Sequence, residues 1–120
     1  MAMTFTPGRG DIISINLNPT AGHEQRGFRP CLVISDDRFN KASGMVVILP
    51  ITSSEARADS PWSVPVQTKR GKKRIVGYVL ASQVRTIDLM AEQRECRFES
   101  VATSECLEEA VARFQAIVIP

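Results

Sequence analysis

Two polar residues stand where a phosphoryl-binding site could form. Arg29 lies where a polar loop meets a predicted buried strand, and Thr52 lies just beyond the next predicted strand. Strands joined by a short connection are usually neighbours, so the start of one and the end of the next share one end of a sheet. His23, Glu24 and Gln25 precede Arg29 and are expected to hang over that end. A guanidinium, a hydroxyl and ionisable groups around one concave spot are what an anionic phosphoryl centre needs.

Each of these residues also has an ordinary structural interpretation. Arg29 could pair with Asp11 or Glu24 and stabilise the fold without binding any ligand. Thr52 could merely end a strand, and His23 could be a solvated loop histidine. Residue types and spacing alone favour the structural interpretation, and they leave both open.

A compact basic run occupies residues 69–74. It carries five positive charges, so a chain of net charge +2 would be net −3 without it. One basic spot on a mildly acidic body is typical of a phosphate-contacting loop and, equally, of a solvated surface turn. The five cations are Lys69, Arg70, Lys72, Lys73 and Arg74.

Length and composition are typical of a single globular domain over residues 1–120. No apolar stretch approaches the ~18–20 residues that a membrane helix needs. The start at Met1–Pro7 is too short and too uncharged for a signal peptide. The sequence therefore predicts a cytoplasmic protein without membrane contact.

Three widely spaced cysteines, Cys31, Cys96 and Cys106, lie in or beside apolar runs. An odd count without C-x-x-C spacing argues against both a disulfide framework and a zinc site. We interpret them as reduced thiols that act as small apolar side chains. With His23 as the single histidine, the sequence predicts neither a metal centre nor a cofactor.

Short strands dominate the first half of the predicted secondary structure. Ile13–Leu17 alternates apolar and polar residues, which indicates a half-buried strand. Cys31–Ile34 and Met45–Leu49 are continuous apolar runs, typical of strands buried on both faces. Between them, Ser35–Asn40 predicts a capped helical turn that ends before Gly44.

The second half predicts a hairpin around the basic run. Ser53–Pro61 is polar and is expected to be a mobile loop. Trp62–Val66 is a short strand whose proline indicates an edge position, and Ile75–Leu80 is the returning strand. Arg97–Val101 is a candidate for a last short strand.

The C-terminal segment has the clearest helical pattern, with Thr103 or Ser104 as its cap. Together with the turn residues of Asn18–Gly22, these elements predict a mainly β fold with α structure. The expected architecture is a small, strongly bent sheet or partly open barrel with one terminal helix. The apolar face of that helix is predicted to contain Leu107, Ala110, Val111, Phe114, Ile117 and Val118.

Several blocks of the sequence resemble the MazF/PemK family of toxins, which includes the Kid and ChpB toxins. The resemblance covers nearly the whole chain, with matching order and spacing. The matching blocks are Gly10–Ile13, Asn18–Pro30, Leu32–Ser35, Phe39–Asn40, Pro50–Ser53 and Gly77–Asp88.

The resemblance implies an SH3-like barrel with a C-terminal helix, assembled as a homodimer with RNA across the dimer interface. It implies sequence-specific cleavage of single-stranded RNA without a metal or other cofactor. It also implies a cognate antitoxin whose flexible tail wraps the toxin.

The same resemblance supplies roles for individual residues. The family's catalytic arginine and threonine fall on Arg29 and Thr52, and His23 and Glu24 are candidates for the general base. The ribose 2′-hydroxyl would attack the adjacent phosphorus, leaving a 2′,3′-cyclic phosphate and a 5′-hydroxyl. Arg29 would stabilise the phosphoryl charge, because a guanidinium is a poor proton donor. Further RNA contacts are expected from Gln25, Ser53, Ser82, Gln83, Arg85 and the five cations of the basic run.

Two departures from the family pattern favour a MazF-type mechanism centred on Arg29 and Thr52. Ser82 stands where the PemK-like branch has an aspartate, and Leu80 stands where that branch has an arginine. Ser82 also keeps a catalytically silent RNA- or antitoxin-binding barrel as an alternative. A gyrase inhibitor of the CcdB kind is a more distant alternative, since that group ends in Trp-Gly-Ile and this chain ends in Ile117–Pro120.

Replacement of all five cations of the basic run by serine is expected to weaken RNA binding uniformly across sequences. It should also flatten the dependence of affinity on salt, because fewer counterions are released on binding. Titration of labelled single-stranded RNA at several salt concentrations measures both effects, and unchanged binding would contradict the prediction.

Overall fold

The computed structural model describes residues 6–18, 20–91 and 95–120. Met1–Phe5 of the N-terminal segment and Pro19 of the predicted Asn18–Gly22 turn lie outside the described residues. The helices are α1 (Asp37–Ser43) and α2 (Ser104–Val118), with one turn of 3₁₀ helix at Glu55–Arg57. The strands are β1 (Asp11–Asn16), β2 (Phe28–Val33), β3 (Met45–Thr52), β4 (Ser63–Pro65), β5 (Tyr78–Leu80), β6 (Arg85–Asp88) and β7 (Cys96–Val101).

The strands form one antiparallel sheet in the order β4-β5-β3-β2-β1-β7, with β6 also paired to β3. A single bridge between Thr68 and Ala102 joins the segment after β4 to the end of β7. The sheet therefore bends back on itself without closing, which confirms the predicted mainly β, partly open architecture with a C-terminal helix.

Apolar residues cover both faces of the central strands. Leu32 belongs to a cluster on the side of α2, whereas Cys31 and Val33 belong to a second cluster on the opposite face. Two-sided burial was predicted for β2 and β3 and is confirmed. The prediction of a half-buried β1 was wrong, because Ser14 is only 5 % exposed. Its hydroxyl donates to Glu99 at 2.6 Å, which supplies the hydrogen bond that a buried hydroxyl needs.

The segment that pairs along one side of β3 is interrupted. β5 pairs Val79 with Ile51, and β6 pairs Arg85 with Ile48. Between these pairs β3 has two residues and the opposite segment has five, residues 80–84. The extra residues leave the sheet as a turn. The sequence predicted a strand over Ile75–Leu80, of which only the last three residues pair, and it did not predict β6.

Helix α1 is capped and ends before Gly44 as predicted, but it covers Asp37–Ser43 rather than Ser35–Asn40. The Asp36 carboxylate accepts the Arg38 amide, and Gly44 adopts a left-handed conformation with φ of +71°. The polar segment expected to be a loop contains the 3₁₀ turn at Glu55–Arg57. As predicted from its proline, β4 lies at the edge of the sheet.

Helix α2 begins at the predicted cap, where the Thr103 hydroxyl accepts the Cys106 amide. Ala110 is buried, and Leu107, Val111 and Phe114 pack against the helix-side cluster. The predicted apolar face was wrong in its last turn: Ile117 and Val118 are 44 % and 58 % exposed. No helix in the described ranges is long and apolar enough to cross a membrane.

Position 77 requires glycine because a side chain there would collide with strand β3. Its φ is +147°, and a Cβ built there would lie 2.4 Å from the Thr52 carbonyl oxygen. Gly77→Ala should therefore cost about 3 kcal/mol or more of folding free energy. Gly71→Ala is the matched control, since Gly71 has a φ of +83° but no atom within 4 Å of a built Cβ. It should cost about 1 kcal/mol, and equal losses in urea unfolding of the two variants would contradict the steric argument.

Candidate active site

Arg29 and Thr52 lie at the same end of the β2–β3 pair, as predicted. The antiparallel register aligns Cys31 with Pro50, and each candidate lies two residues further along its strand toward that end. Arg29 itself pairs with Ile15 of β1. The sheet thus brings a guanidinium and a hydroxyl to one place.

The Arg29 side chain is held by its own loop. Its Nε donates to the Arg26 carbonyl oxygen at 3.0 Å. The alternative ion pairs with Asp11 or Glu24 are not observed. Asp11 accepts the Gly8 amide, and Glu24 accepts the Ala21 amide at 2.7 Å. The outer edge of the guanidinium therefore remains available to an anion.

Thr52 is buried, at 5 % exposure. Its hydroxyl oxygen accepts the Ser54 amide at 3.2 Å, which fixes the chain as it leaves β3. A hydroxyl that accepts one hydrogen bond keeps its own proton for another acceptor. Ser53 follows directly and is exposed.

The loop that carries His23, Glu24 and Gln25 is fastened to the turn between β5 and β6 by Gln83. The Gln83 side-chain oxygen accepts the Gln25 amide at 2.9 Å, and its nitrogen donates to the His23 carbonyl at 3.3 Å. His23 and Glu24 stay exposed. The sequence assigned Gln83 to RNA contact, whereas in the structure both ends of its amide bind the loop backbone.

A cavity of about 160 Å³ lies between this loop and the turn. Ser82 is exposed in the turn. The Arg85 guanidinium donates to the Leu17 carbonyl, which ties the cavity wall to the end of β1. The cavity is lined by Glu24, Gln25, Pro50 and residues 82–85.

The basic run is anchored to β7 rather than to the loop of His23. The Lys69 amide donates to the Val101 carbonyl at 2.8 Å, and Lys73 forms a 3.0 Å ion pair with Glu99. All five of its cationic side chains belong to exposed residues. The charge of Lys73 is thus partly neutralised, so the other four cations are more available to a phosphate.

Glu99 links the basic run to the Arg29 end of the sheet. It also pairs with Arg97 at 3.1 Å, and the Arg97 guanidinium lies 5.0 Å from the centre of the Phe28 ring. Partial burial would raise the pKa of Glu99, but hydrogen bonds from Ser14, Lys73 and Arg97 outweigh it, so the pKa is lowered. The sequence analysis did not identify this series of contacts, in which Glu99 pairs with Lys73 and Arg97 and Arg97 lies over Phe28. The alternation of Arg97 and Glu99 on one face of a strand is the signal that it left unused.

The cysteines are free, as interpreted from the sequence. Burial raises the pKa of the Cys31 thiol, and it raises the pKa of Cys96 to about 11. Both thiols are therefore protonated at neutral pH. Within the described ranges, no group of three or more His, Cys, Asp or Glu side chains is placed to hold a metal ion.

Comparisons with known proteins match this chain and its fold. The model of the family described as PemK-like, MazF-like toxin of type II toxin-antitoxin system matches residues 8–118. The endoribonuclease toxin ChpB of Escherichia coli is 41 % identical over 112 residues, which cover 92 % of each chain.

Solved structures agree with the sequence match. The crystal structure of MazF (Form-I) from Deinococcus radiodurans has a TM-score of 0.80 and 28 % identity, with 95 % of this chain and 97 % of that chain covered. A MazE-MazF crystal structure (Form-II) from the same organism has a TM-score of 0.73 and 28 % identity, with 95 % and 96 % covered. These matches place the protein among the toxins of type II toxin-antitoxin systems. Within that class, the chain belongs to the PemK-like, MazF-like family.

Removal of the Gln83 amide should loosen the loop above the site without unfolding the sheet. In Gln83→Ala, two hydrogen bonds are lost, which should cost about 1–3 kcal/mol of local opening free energy. Hydrogen exchange should therefore rise in peptides covering residues 21–27. Gln115→Ala, on the exposed side of α2, is the matched control. Equal exchange in both variants would show that Gln83 does not hold the loop.

Proposed function

We propose that this chain is the toxin of a toxin-antitoxin system and acts as an endoribonuclease that cleaves single-stranded RNA at specific sequences. Its family and its relative ChpB, which is named an endoribonuclease toxin, support this proposal. The observation that carries it is the common sheet end of Arg29 and Thr52, below the loop of His23 and Glu24. In this proposal the shared sheet end supplies donors for a phosphate, and the loop supplies the candidate bases for a hydroxyl proton.

In the proposed reaction, the ribose 2′-hydroxyl attacks the adjacent phosphorus and the bond from phosphorus to the 5′-oxygen breaks. The products are a 2′,3′-cyclic phosphate and a free 5′-hydroxyl. The 2′-hydroxyl proton passes to His23 or Glu24, and the leaving 5′-oxygen takes a proton from solvent. DNA lacks the attacking hydroxyl and is not a substrate.

Arg29 stabilises the negative charge on the phosphoryl oxygens in the transition state. Its Nε is fixed on the loop backbone, so the rest of the guanidinium is already oriented before RNA binds. Thr52 donates its free proton to a phosphoryl oxygen while its own oxygen accepts the Ser54 amide. Neither residue has to break an internal contact to act.

The departures at Leu80 and Ser82 are compatible with this division of roles. Leu80 is buried at 2 % exposure and supplies no polar group, and Ser82 is exposed in the turn. The proposed mechanism is therefore of the MazF type and uses no group from either position. Ser82 also favours a second candidate function, a barrel that binds RNA or antitoxin without cutting.

The remaining RNA contacts are proposed for exposed and half-buried polar residues around the site. Gln25, Ser53, Ser82, Gln83 and Arg85 contact the RNA near the cut, with Gln83 chiefly positioning the loop. The basic run contributes sequence-independent phosphate contacts.

We further propose that residues 1–120 act as one domain in a homodimer, in the bacterial cytoplasm. The proposed regulator is a cognate antitoxin with a flexible tail. The similarity to MazF in a MazE-MazF crystal structure supports an antitoxin partner.

The proposal is tested with a long, mixed-sequence RNA incubated with purified protein in excess EDTA. Discrete fragments with 5′-hydroxyl ends are expected from the wild type. Arg29→Ala should be slower by at least about 100-fold, because a preorganised donor to the phosphoryl oxygens is lost. Arg38→Ala, an exposed arginine on α1, is the matched control and should cut normally. Binding without cutting by the wild type would favour the silent barrel, and cleavage only after metal addition would reject metal independence.

A further inference from the structure

A second, larger cavity lies on the other side of Thr52. Its volume is about 450 Å³, within the range of small-molecule sites. It opens between the start of the polar segment after β3 and the two arms of the hairpin that carries the basic run. The side chains that line it and enter the argument are Ser53, Glu55, Arg74, Val76 and Tyr78.

This cavity adjoins the proposed cleavage site through the backbone. Tyr78 pairs with Thr52 in the β3–β5 ladder, and Ser53 lines the cavity one residue after Thr52. Gly77 packs directly on the Thr52 carbonyl. A nucleotide whose phosphate lies at Thr52 therefore has a neighbouring nucleotide within reach of this cavity.

Glu55 and Tyr78 form a fixed pair in the cavity wall. The Tyr78 hydroxyl donates to one Glu55 carboxylate oxygen at 3.1 Å. That hydrogen bond, together with partial burial, raises the pKa of Tyr78, so the phenol stays a donor at neutral pH. No cation of the described ranges pairs with Glu55, and its second carboxylate oxygen is open to another donor.

The wall thus combines an aromatic ring, an apolar side chain and an oriented acceptor. Unstacked RNA bases are recognised by stacking on aromatic rings and by hydrogen bonds to their Watson–Crick edges. A carboxylate accepts from exocyclic amino groups, which adenine, guanine and cytosine have and uracil lacks. Uracil offers only its N3–H, which lies between two carbonyl oxygens that repel a carboxylate. Arg74 at the cavity rim can meet the backbone phosphate of the same nucleotide.

We propose that this cavity binds one base next to the scissile phosphate and that Glu55, oriented by Tyr78, selects a base with an amino group over uracil. The inference rests on the proposed function, because it assumes that RNA is bound at Thr52. It assigns part of the sequence preference to two residues outside the catalytic set.

The first test maps every cut in a mixed RNA by sequencing fragment ends. Wild-type sites should show uracil depleted about tenfold at one position near the cut, the discrimination that one charge-assisted hydrogen bond provides. In Glu55→Gln the amide can also donate to uracil, so depletion should fall below about twofold. Tyr78→Phe should weaken the depletion of uracil, because Glu55 loses the hydrogen bond from the Tyr78 hydroxyl. Glu108→Gln, the same change on the exposed side of α2, should keep the wild-type profile.

A second test needs no cleavage. Wild type and Glu55→Gln each select from a random library of 2′-O-methyl RNA, which cannot be cut by the proposed mechanism. The same loss of uracil discrimination is expected among the retained sequences. If cuts occur but Glu55→Gln keeps the wild-type profile, the base-selection proposal is wrong and the nuclease proposal stands. If selection changes as expected but nothing is cut, the nuclease proposal fails, and base selection by Glu55 stands for bound RNA alone.

Discussion

Strand β3 fixes most of what surrounds the site, because it is paired on both sides and buried on both faces. Its register with β2 sets Arg29 and Thr52 at one end, and its other side holds the interrupted segment of β5 and β6. The surplus residues of that segment must leave the sheet, and the turn they form carries Gln83 to the loop of His23. A single strand therefore positions the proposed phosphate donors, the loop above them and the cavity beyond them.

The elements that could be predicted from sequence are those with local signals. Apolar runs marked β2 and β3, and the spacing of apolar residues marked α2. The caps at Asp36 and Thr103 were readable because each binds an amide within three residues. Strand β6 was missed because it is short and buries only one apolar residue, Ile87. Its residues form a strand because they pair with β3, and their own sequence pattern does not indicate one.

The candidate site likewise has one part that could be predicted from the sequence and another that could not. The shared sheet end of Arg29 and Thr52 followed from a short connection between two strands. The contacts of Gln83 with the His23 loop join residues about 60 positions apart, and Ser14 meets Glu99 across 85 positions. No periodicity encodes such pairs, because they arise only when the sheet folds back on itself. The family resemblance identified residues of the site, but it did not identify the hydrogen bonds that hold them in position.

The single bridge between Thr68 and Ala102 bears on how the protein avoids self-association. Open sheet edges recruit further strands and start aggregation. Here one edge is the three-residue β4 with Pro65, which has no amide hydrogen to offer. The other edge, β7, has its final residues occupied by the bridge and by the Lys69 amide on the Val101 carbonyl. Within the described chain, the open edges that remain are the first half of β7 and the free side of the four-residue β6, and both are short.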